Sequence, residues 1–184
     1  KVKKSNLPIR SNVIEKILRS VKKNTRIVST IGFSSREFFQ VKKEKKIKNG
    51  KLFLMVGGMG HASATSLGVH LNSGKNEVIC VDGDGAFLMH MGNVATAGVY
   101  AKKNFKYILF DNNAHESTGV QPTISNKINF KKIASGFGFK KVYELKTKKD
   151  VENKLSKIMK LTQPTFIRIV VATGTFKKLE RPKD

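Results

Sequence analysis

The stretch from Glu77 to Asn113, EVICVDGDGAFLMHMGNVATAGVYAKKNFKYILFDNN, contains the pattern that decides the fold. It opens with a short apolar segment, Glu77–Val81, which predicts a buried strand. Two glycines around Asp84 then break the strand, and a helix is predicted over Ala86–Tyr100. A second apolar strand, Lys106–Phe110, follows the helix. Two apolar strands joined by a helix predict a βαβ unit with parallel strands.

The same alternation continues on both sides of this unit. Further strands are predicted at Arg26–Thr30, Leu52–Val56, Lys141–Leu145 and Thr165–Val171. Further helices are predicted at Asn12–Lys23, after a cap at Ser34 or Ser35, and at His61–Leu71, Phe130–Phe137 and Lys149–Lys160. The predicted strands are continuous apolar runs, which are typical of a parallel sheet buried on both faces. We therefore predict an α/β fold, a three-layer sandwich around a mostly parallel sheet of about six strands, in one domain over residues 1–184.

Two polar motifs follow the two central strands at the points where those strands end. Gly83-Asp84-Gly85 follows the first strand and Asp111-Asn112-Asn113 the second. Both motifs are expected at the carboxyl edge of the sheet, where such folds bind ligands. The glycines allow close backbone approach, and the free N–H groups of the following helix favour a phosphate. Asp84 and an asparagine add the hard oxygen ligands that Mg²⁺ selects, so the motifs predict a site for a Mg²⁺-diphosphate.

This arrangement resembles the thiamine-diphosphate-dependent enzymes, whose signature is GDG followed about two dozen residues later by an Asn-containing motif. The segments on either side narrow the resemblance to the phosphonopyruvate and sulfopyruvate decarboxylase family. The matching segments are STIGFSSRE (29–37), GGMGHAS (57–63), GDGAFLMHMG (83–92), DNNAHESTGVQPT (111–123) and LERP (179–182). The resemblance covers about residues 26–182 and implies a diphosphate-binding (PP-type) domain with thiamine diphosphate and Mg²⁺ as cofactors.

The resemblance also implies a role for particular residues. Asp84 is expected to ligate Mg²⁺, with Asn112 as the second ligand and the carbonyl of Ala114 as the third. A register shifted by one position, which makes Asn113 the ligand, stays open; in the preferred register Asn113 occupies a position where the family often has glycine. The residues expected to contact the cofactor are Gly32, Ser34, Ser35, Gly57, Gly58, Met59, Gly83, Asp84, Gly85, Ala86, Asn112 and Ser117.

Several of these residues also have plain structural explanations. Met59 is expected to force the cofactor into its bent conformation, although a lone methionine is more often core. His115 and Glu116 are the candidate catalytic residues because they follow the metal-binding asparagine, but they are equally typical of a solvated turn. Ser34 and Ser35 are also ordinary helix caps.

Composition gives weaker information about function. The chain has 36 Lys and Arg against 13 Asp and Glu, a net charge of +23. The lysines are scattered and not interleaved with aromatic residues, so we expect no nucleic-acid partner. The apolar runs are too short for a membrane span. The basic segment Lys1–Arg10 has no apolar stretch behind it, which predicts no secretory signal. The single cysteine, Cys80, is expected to be a core residue in a reducing cytoplasm.

We expect decarboxylation of a 2-oxoacid with an anionic head group, most simply 3-phosphonopyruvate to phosphonoacetaldehyde and CO₂. The sulfopyruvate decarboxylase β-type subunit, acting on a sulfonate, is the alternative; a noncatalytic basic binding module and an oxoacid oxidoreductase subunit are further rivals. In the family a glutamate from a pyrimidine-binding domain activates the cofactor, and no second domain is recognised here. A complementary chain or a missing N-terminal half is therefore expected to supply it, within a dimer or higher oligomer.

Overall fold

The computed structural model of the protein describes residues 6–182, so Lys1–Ser5, part of the basic N-terminal segment, and Lys183–Asp184 lie outside the described residues. The strands are β1 (Arg26–Ser29), β2 (Lys51–Leu54), β3 (Val78–Gly83), β4 (Phe105–Asp111), β5 (Ala114–His115), β6 (Gln121–Pro122), β7 (Lys141–Leu145) and β8 (Thr165–Val170). The helices are α1 (Arg10–Ser20), α2 (Phe33–Glu44), α3 (Ala62–Leu71), α4 (Asp84–Met89), α5 (Met91–Tyr100), α6 (Phe130–Gly136) and α7 (Lys148–Ile158).

Six strands form one sheet in the order β2-β1-β3-β4-β8-β7, and every neighbouring pair is parallel. The central strand β4 is buried at all seven positions, whereas the edge strand β2 alternates between exposed and half-buried residues. The chain leaves β1 toward β2 on one side and leaves β3 toward β4 on the other. The sheet therefore has its topological switch point between β1 and β3, and the crevice outside their carboxyl ends is where such folds bind ligands.

Helices cover both faces of the sheet and enclose two hydrophobic clusters. One cluster includes Val13 of α1, Phe38 of α2 and Leu155 of α7. The other includes Leu67 of α3 and Phe130 of α6, together with Cys80, which is fully buried and whose thiol pKa is raised by that burial. The predicted three-layer α/β sandwich is confirmed, and Cys80 is a core residue.

Two predicted boundaries around the central motif were wrong. Strand β3 continues through Gly83, and the helix begins at Asp84 rather than at Ala86. The helix predicted over Ala86–Tyr100 is also interrupted at His90, whose φ of −137° and ψ of 53° are not helical, so α4 and α5 are separate. As a consequence, Asp84 lies in the first turn of α4 and is held by regular structure on both sides.

The polar stretch after β4, for which no secondary structure was predicted, contains the small antiparallel pair β5–β6 and a 3₁₀ turn at Ser125–Lys127. This hairpin folds back over the carboxyl ends of β3 and β4. Among the described residues, no helix has the length and apolar character that crossing a membrane requires.

Candidate diphosphate and metal site

A cavity of about 130 Å³ lies at the carboxyl ends of β1, β3 and β4, next to the topological switch point. Eleven of the fifteen predicted site residues line it: Ser34, Met59, Gly83, Asp84, Gly85, Ala86, Asn112, Ala114, His115, Glu116 and Ser117. Six residues that were not among the predicted site residues complete the lining: Arg10, Thr30, Ile31, Phe33, Phe110 and Thr118. The structure thus brings most of the predicted site together from segments far apart in sequence.

Asp84 is the most informative side chain in this cavity. It is only 2% exposed, and the hydroxyl of Thr123 donates a hydrogen bond to its Oδ2. Burial raises the pKa of this carboxyl, and the nearby negative charge of Asp111 adds to the increase. Within residues 6–182, no lysine, arginine or histidine forms an ion pair with it. A buried carboxylate without a cationic partner is costly, and a bound cation would neutralise it.

The two asparagines after β4 have different environments. Asn112 lines the cavity, its Oδ1 accepts a hydrogen bond from the N–H of Ala114 at 3.1 Å, and one lone pair of that oxygen is left. Asn113 does not line the cavity; its Oδ1 accepts from the N–H of Asn126 at 3.2 Å and lies 2.9 Å from the hydroxyl of Ser125, whose single proton is shared with Oδ1 of Asp111 at 2.8 Å. Asn113 also has a φ of 59°, a conformation that favours glycine. This geometry favours Asn112 over Asn113 as the residue available to a cation.

Two glycines allow the loops of the site to touch. A Cβ on Gly85 would lie 2.3 Å from Cε1 of His115, so only glycine lets the imidazole ring pack against the start of α4. Gly32 has a φ of 89°, and a Cβ there would lie 3.2 Å from Oγ of Ser117. Gly32 does not line the cavity itself, but it permits the loop after β4 to close over the turn after β1.

The remaining predicted cofactor contacts divide into two groups. Ser34 and Met59 line the cavity. Ser35 does not line it; its single hydroxyl proton is shared between the carbonyls of Thr30 and Ser29, which attaches the start of α2 to the end of β1. Gly57 and Gly58 also lie outside the cavity, on an exposed loop with φ values of 70° and 56°. Their expected contacts with the cofactor stay predictions.

The two candidate catalytic residues, His115 and Glu116, differ in how many hydrogen bonds their side chains already form within the protein. His115 faces the cavity and packs on Gly85. Glu116 accepts hydrogen bonds from Arg10 at 2.8 Å, from Asn112 at 2.9 Å and from the N–H of Gly174. Glu116 is therefore occupied by protein donors, and its direct participation in catalysis stays a prediction.

Sequence reasoning missed Arg10 as a site residue. Arg10 is 4% exposed, lines the cavity and bridges Glu37 and Glu116. Its partners are 27 and 106 residues away in sequence, so no local pattern reveals the contact. Thr123 was noted only as part of the polar loop, and its bond to Asp84 also depends on the folding of the hairpin.

The fold and the site together define an α/β domain with a cavity at the switch point of its parallel sheet, an arrangement suited to a diphosphate-bearing cofactor. Residues 30–169 match the family described as thiamine pyrophosphate enzyme, C-terminal TPP binding domain, and the chain belongs to this family. The resemblance inferred from the motifs is confirmed.

Similar proteins support the same family assignment. Phosphonopyruvate decarboxylase from Streptomyces viridochromogenes is 33% identical over 176 residues, which cover 96% of this chain and 43% of that protein. Sulfopyruvate decarboxylase subunit beta from Methanocaldococcus jannaschii is 40% identical over 132 residues, 71% of this chain and 67% of that subunit. The large subunit of acetolactate synthase isozyme 1 from Escherichia coli is 29% identical over 125 residues. The chain thus spans less than half the length of the phosphonopyruvate decarboxylase it matches.

Proposed function

We propose that this chain is the diphosphate-binding part of a thiamine-diphosphate- and Mg²⁺-dependent decarboxylase of 2-oxoacids that carry an anionic head group. The observation that carries the proposal is the buried carboxylate of Asp84, which has no cationic partner within residues 6–182 and shares a cavity with Asn112. The preferred substrate is 3-phosphonopyruvate, giving phosphonoacetaldehyde and CO₂. Support for this choice comes from the phosphonopyruvate decarboxylase relatives, which align with 96% of the chain.

The donor set fits a Mg²⁺-diphosphate. Asp84 supplies a carboxylate oxygen, Asn112 an amide oxygen and Ala114 a backbone carbonyl, and Mg²⁺ commonly takes one or two carboxylates plus phosphate oxygens. The described residues contain no group of three or more His, Cys, Asp or Glu side chains suited to a metal, which agrees with a cation held partly by its ligand. Ser34 and the first N–H groups of α4 line the same cavity and are available to the diphosphate oxygens.

When bound, thiamine diphosphate supplies the nucleophilic carbon and the electron sink that decarboxylation requires. The chain's own residues position and shield that chemistry. Met59 contributes an apolar surface beside the diphosphate site, and His115 presents an imidazole to the same cavity. We assign His115 to proton transfer or substrate contact, since its ring faces the cavity and is fixed against Gly85.

The proposal treats residues 1–184 as one diphosphate-binding domain that works with a pyrimidine-binding chain or domain, in a dimer or higher oligomer. Two observations support a partner: the relatives called sulfopyruvate decarboxylase subunit beta, and the partial coverage of the longer relatives. The segments around Met59, Ala86 and His115 also carry large apolar side chains that are more than half exposed, which suits an interface. These side chains are Val56, Met89 and Val120.

The second candidate is sulfopyruvate decarboxylation. It is favoured by the 40% identity to a sulfopyruvate decarboxylase β subunit, two thirds of whose length this chain covers. Both candidates use the same site and differ only in the anionic head group of the substrate.

The deciding experiment uses the intact protein together with its pyrimidine-binding part, loaded with thiamine diphosphate and Mg²⁺. Each 2-oxoacid is offered in turn, and CO₂ and aldehyde release are measured. We expect turnover of phosphonopyruvate to exceed that of sulfopyruvate; the reverse order would establish the second candidate. Turnover of neither acid, together with salt-dependent nucleic-acid binding and no cofactor uptake, would instead identify a basic binding module.

A further inference from the structure

A buried chain of hydrogen bonds connects helix α2 to the asparagine of the site. Arg10 donates from Nε and Nη2 to Glu37 at 2.8 and 3.2 Å, and from Nη1 to Oε2 of Glu116 at 2.8 Å. The same Oε2 accepts a hydrogen bond from Nδ2 of Asn112 at 2.9 Å. Consecutive hydrogen bonds therefore connect Glu37 to Arg10, Arg10 to Glu116 and Glu116 to Asn112.

We call this series of hydrogen bonds, formed by Glu37, Arg10, Glu116 and Asn112, the Arg10 network. Its charged side chains are almost completely buried. The side chains of Arg10, Glu37 and Glu116 are 5%, 1% and 9% exposed. Buried ion pairs are weak sources of stability, because the loss of hydration offsets most of their attraction. One guanidinium placed between two carboxylates is thus an expensive way to hold a loop, which indicates a role in addition to stability.

The contact with Asn112 suggests what that role is. A side-chain amide has an acceptor end and a donor end, and the two look alike in shape. Glu116 accepts only, so it selects the donor end and leaves Oδ1 toward the N–H of Ala114 and the cavity. With the amide turned over, Oδ1 would face a carboxylate oxygen and the NH₂ group would face an N–H and the cation.

We propose that Glu116, held by Arg10, is a positioning residue that fixes the amide of Asn112 with its oxygen toward the metal. This inference rests on the proposed function and names the device that prepares one of its ligands. The C-terminal segment closes the arrangement, because Gly174 donates to Oε1 of Glu116 and Thr175 donates to Glu37 at 2.6 Å. Partners that orient a metal ligand typically contribute about 10–100-fold to metal affinity.

The first test measures the Mg²⁺ concentration that half-saturates thiamine diphosphate uptake by the intact protein. Glu116→Leu removes the acceptor and is expected to raise this concentration at least about 10-fold. Glu116→Gln keeps an acceptor oxygen without the charge and is expected to stay within about 3-fold of wild type. Glu37→Leu is the matched control, since it removes a carboxylate from the same Arg10 network without touching Asn112.

Thermal unfolding separates positioning from stability. All three variants weaken the pairing of Arg10, the two leucine variants by removing an acceptor and Glu116→Gln by removing a charge, so all are expected to unfold at lower temperature than wild type. Only Glu116→Leu is expected to lose Mg²⁺ affinity. An equal loss in Glu37→Leu, or a loss in Glu116→Gln as large as in Glu116→Leu, would overturn the proposal.

A second measurement needs no variant and stands even if Glu116→Leu does not fold. In wild-type protein, the side-chain NH₂ of Asn112 should give NMR signals that exchange slowly with water, since one proton is bonded to a carboxylate. The exposed side chain of Asn126 serves as the reference. Exchange of Asn112 as fast as that of Asn126 would overturn the positioning role. Absence of Mg²⁺-dependent cofactor uptake in wild type would instead reject the proposed function.

Discussion

Two acidic side chains next to opposite ends of strand β3, Glu77 and Asp84, have opposite electrostatic environments. At the amino end, Glu77 precedes β3 and forms an ion pair with Lys106 of β4, whose side chain is 1% exposed. At the carboxyl end, Asp84 is 2% exposed and bonds to a hydroxyl, with no cation from residues 6–182 beside it. The Lys106–Glu77 pair is neutralised within the fold and is part of the architecture. Asp82 also lacks a cation among residues 6–182, but it is bonded to Tyr107 and to the N–H of Gly83 and does not line the cavity. Asp84 differs because it has no cationic partner among those residues and also lines the cavity, which is why we propose a cation beside it.

The largest effect that this comparison predicts is on cofactor binding. Asp84→Ala should reduce Mg²⁺-dependent uptake of thiamine diphosphate by more than about 100-fold, because even groups that only orient metal ligands are worth about 10–100-fold. The fold should survive, since the substitution removes a buried charge that has no cationic partner among the described residues. Isothermal titration of the intact protein with the cofactor and Mg²⁺ measures the effect.

Circular dichroism of the same Asp84→Ala sample checks that the α/β fold is retained. Undiminished cofactor uptake by a folded variant would remove the basis for treating the two ends of the strands differently, and with it the assignment of the metal site.

Glu77, at the amino end of β3, should show the opposite pattern, a loss of stability without a loss of cofactor affinity. Glu77→Gln leaves Lys106 buried without its carboxylate, and breaking a buried ion pair in this way typically costs about 3–5 kcal/mol of unfolding free energy. Glu77 is 18% exposed, so we expect a value near the lower end, about 3 kcal/mol. Urea unfolding monitored by circular dichroism measures the change.

Cofactor affinity of the folded Glu77→Gln protein should equal that of wild type. A parallel loss of stability and of cofactor affinity would show that the two ends are coupled rather than separate.

Much of this arrangement was predictable from the sequence, because its main signals are local. The apolar runs before Asp82 and Asp111 predict buried strands, and the two glycines around Asp84 mark a close approach. The order strand, helix, strand then places both polar motifs at one edge of the sheet. These short-range patterns bring Asp84 and the asparagines at 112 and 113 to one edge of the sheet, whereas the preference for Asn112 came from the resemblance.

Other features depend on contacts that no local pattern encodes. The interruption of the helix at His90 lies among the good helix formers Leu88, Met89 and Met91, and the His90 ring packs 4.5 Å from that of His61 in another segment. Arg10 reaches Glu116 across 106 residues of sequence, and Asn113 differs from Asn112 only because Ser125 folds back onto it. Roles that depend on such pairings become visible only in the folded chain.

A third carboxylate gives a smaller effect and extends the comparison to the surface. Asp150 caps α7 together with Thr147, and its hydrogen bond with Lys154, together with the capping contacts, lowers its pKa from 3.8 to about 2. Because the pKa is lower in the folded state, its contribution to stability is present above pH 3.8 and is lost as the pH falls toward 2. Asp150→Asn should therefore flatten the pH dependence of the melting temperature in that window.

Cofactor binding at neutral pH should be unaffected by Asp150→Asn, because the residue and its partners lie outside the cavity. A melting temperature that keeps the wild-type pH dependence between pH 4 and 2 would show that the helix cap does not depend on the ionised carboxylate.

The smallest expected effect decides between the two asparagines. Asn113 resembles Glu77 in that its side chain is already bonded within the protein, to Ser125 and Asn126. Asn113→Gly removes those bonds, worth about 1 kcal/mol each, but relieves a positive φ at which glycine is favoured, so the net change in stability should be within about 1 kcal/mol. Mg²⁺-dependent cofactor uptake, measured by the same titration, should change by less than about 3-fold, which corresponds to less free energy than a typical hydrogen bond contributes.

Asn112→Ala should in contrast approach the loss of cofactor affinity expected for Asp84→Ala. If the glycine variant lost affinity and the alanine variant kept it, the metal ligand would be Asn113, and a side chain that the fold already uses would also bind the ion.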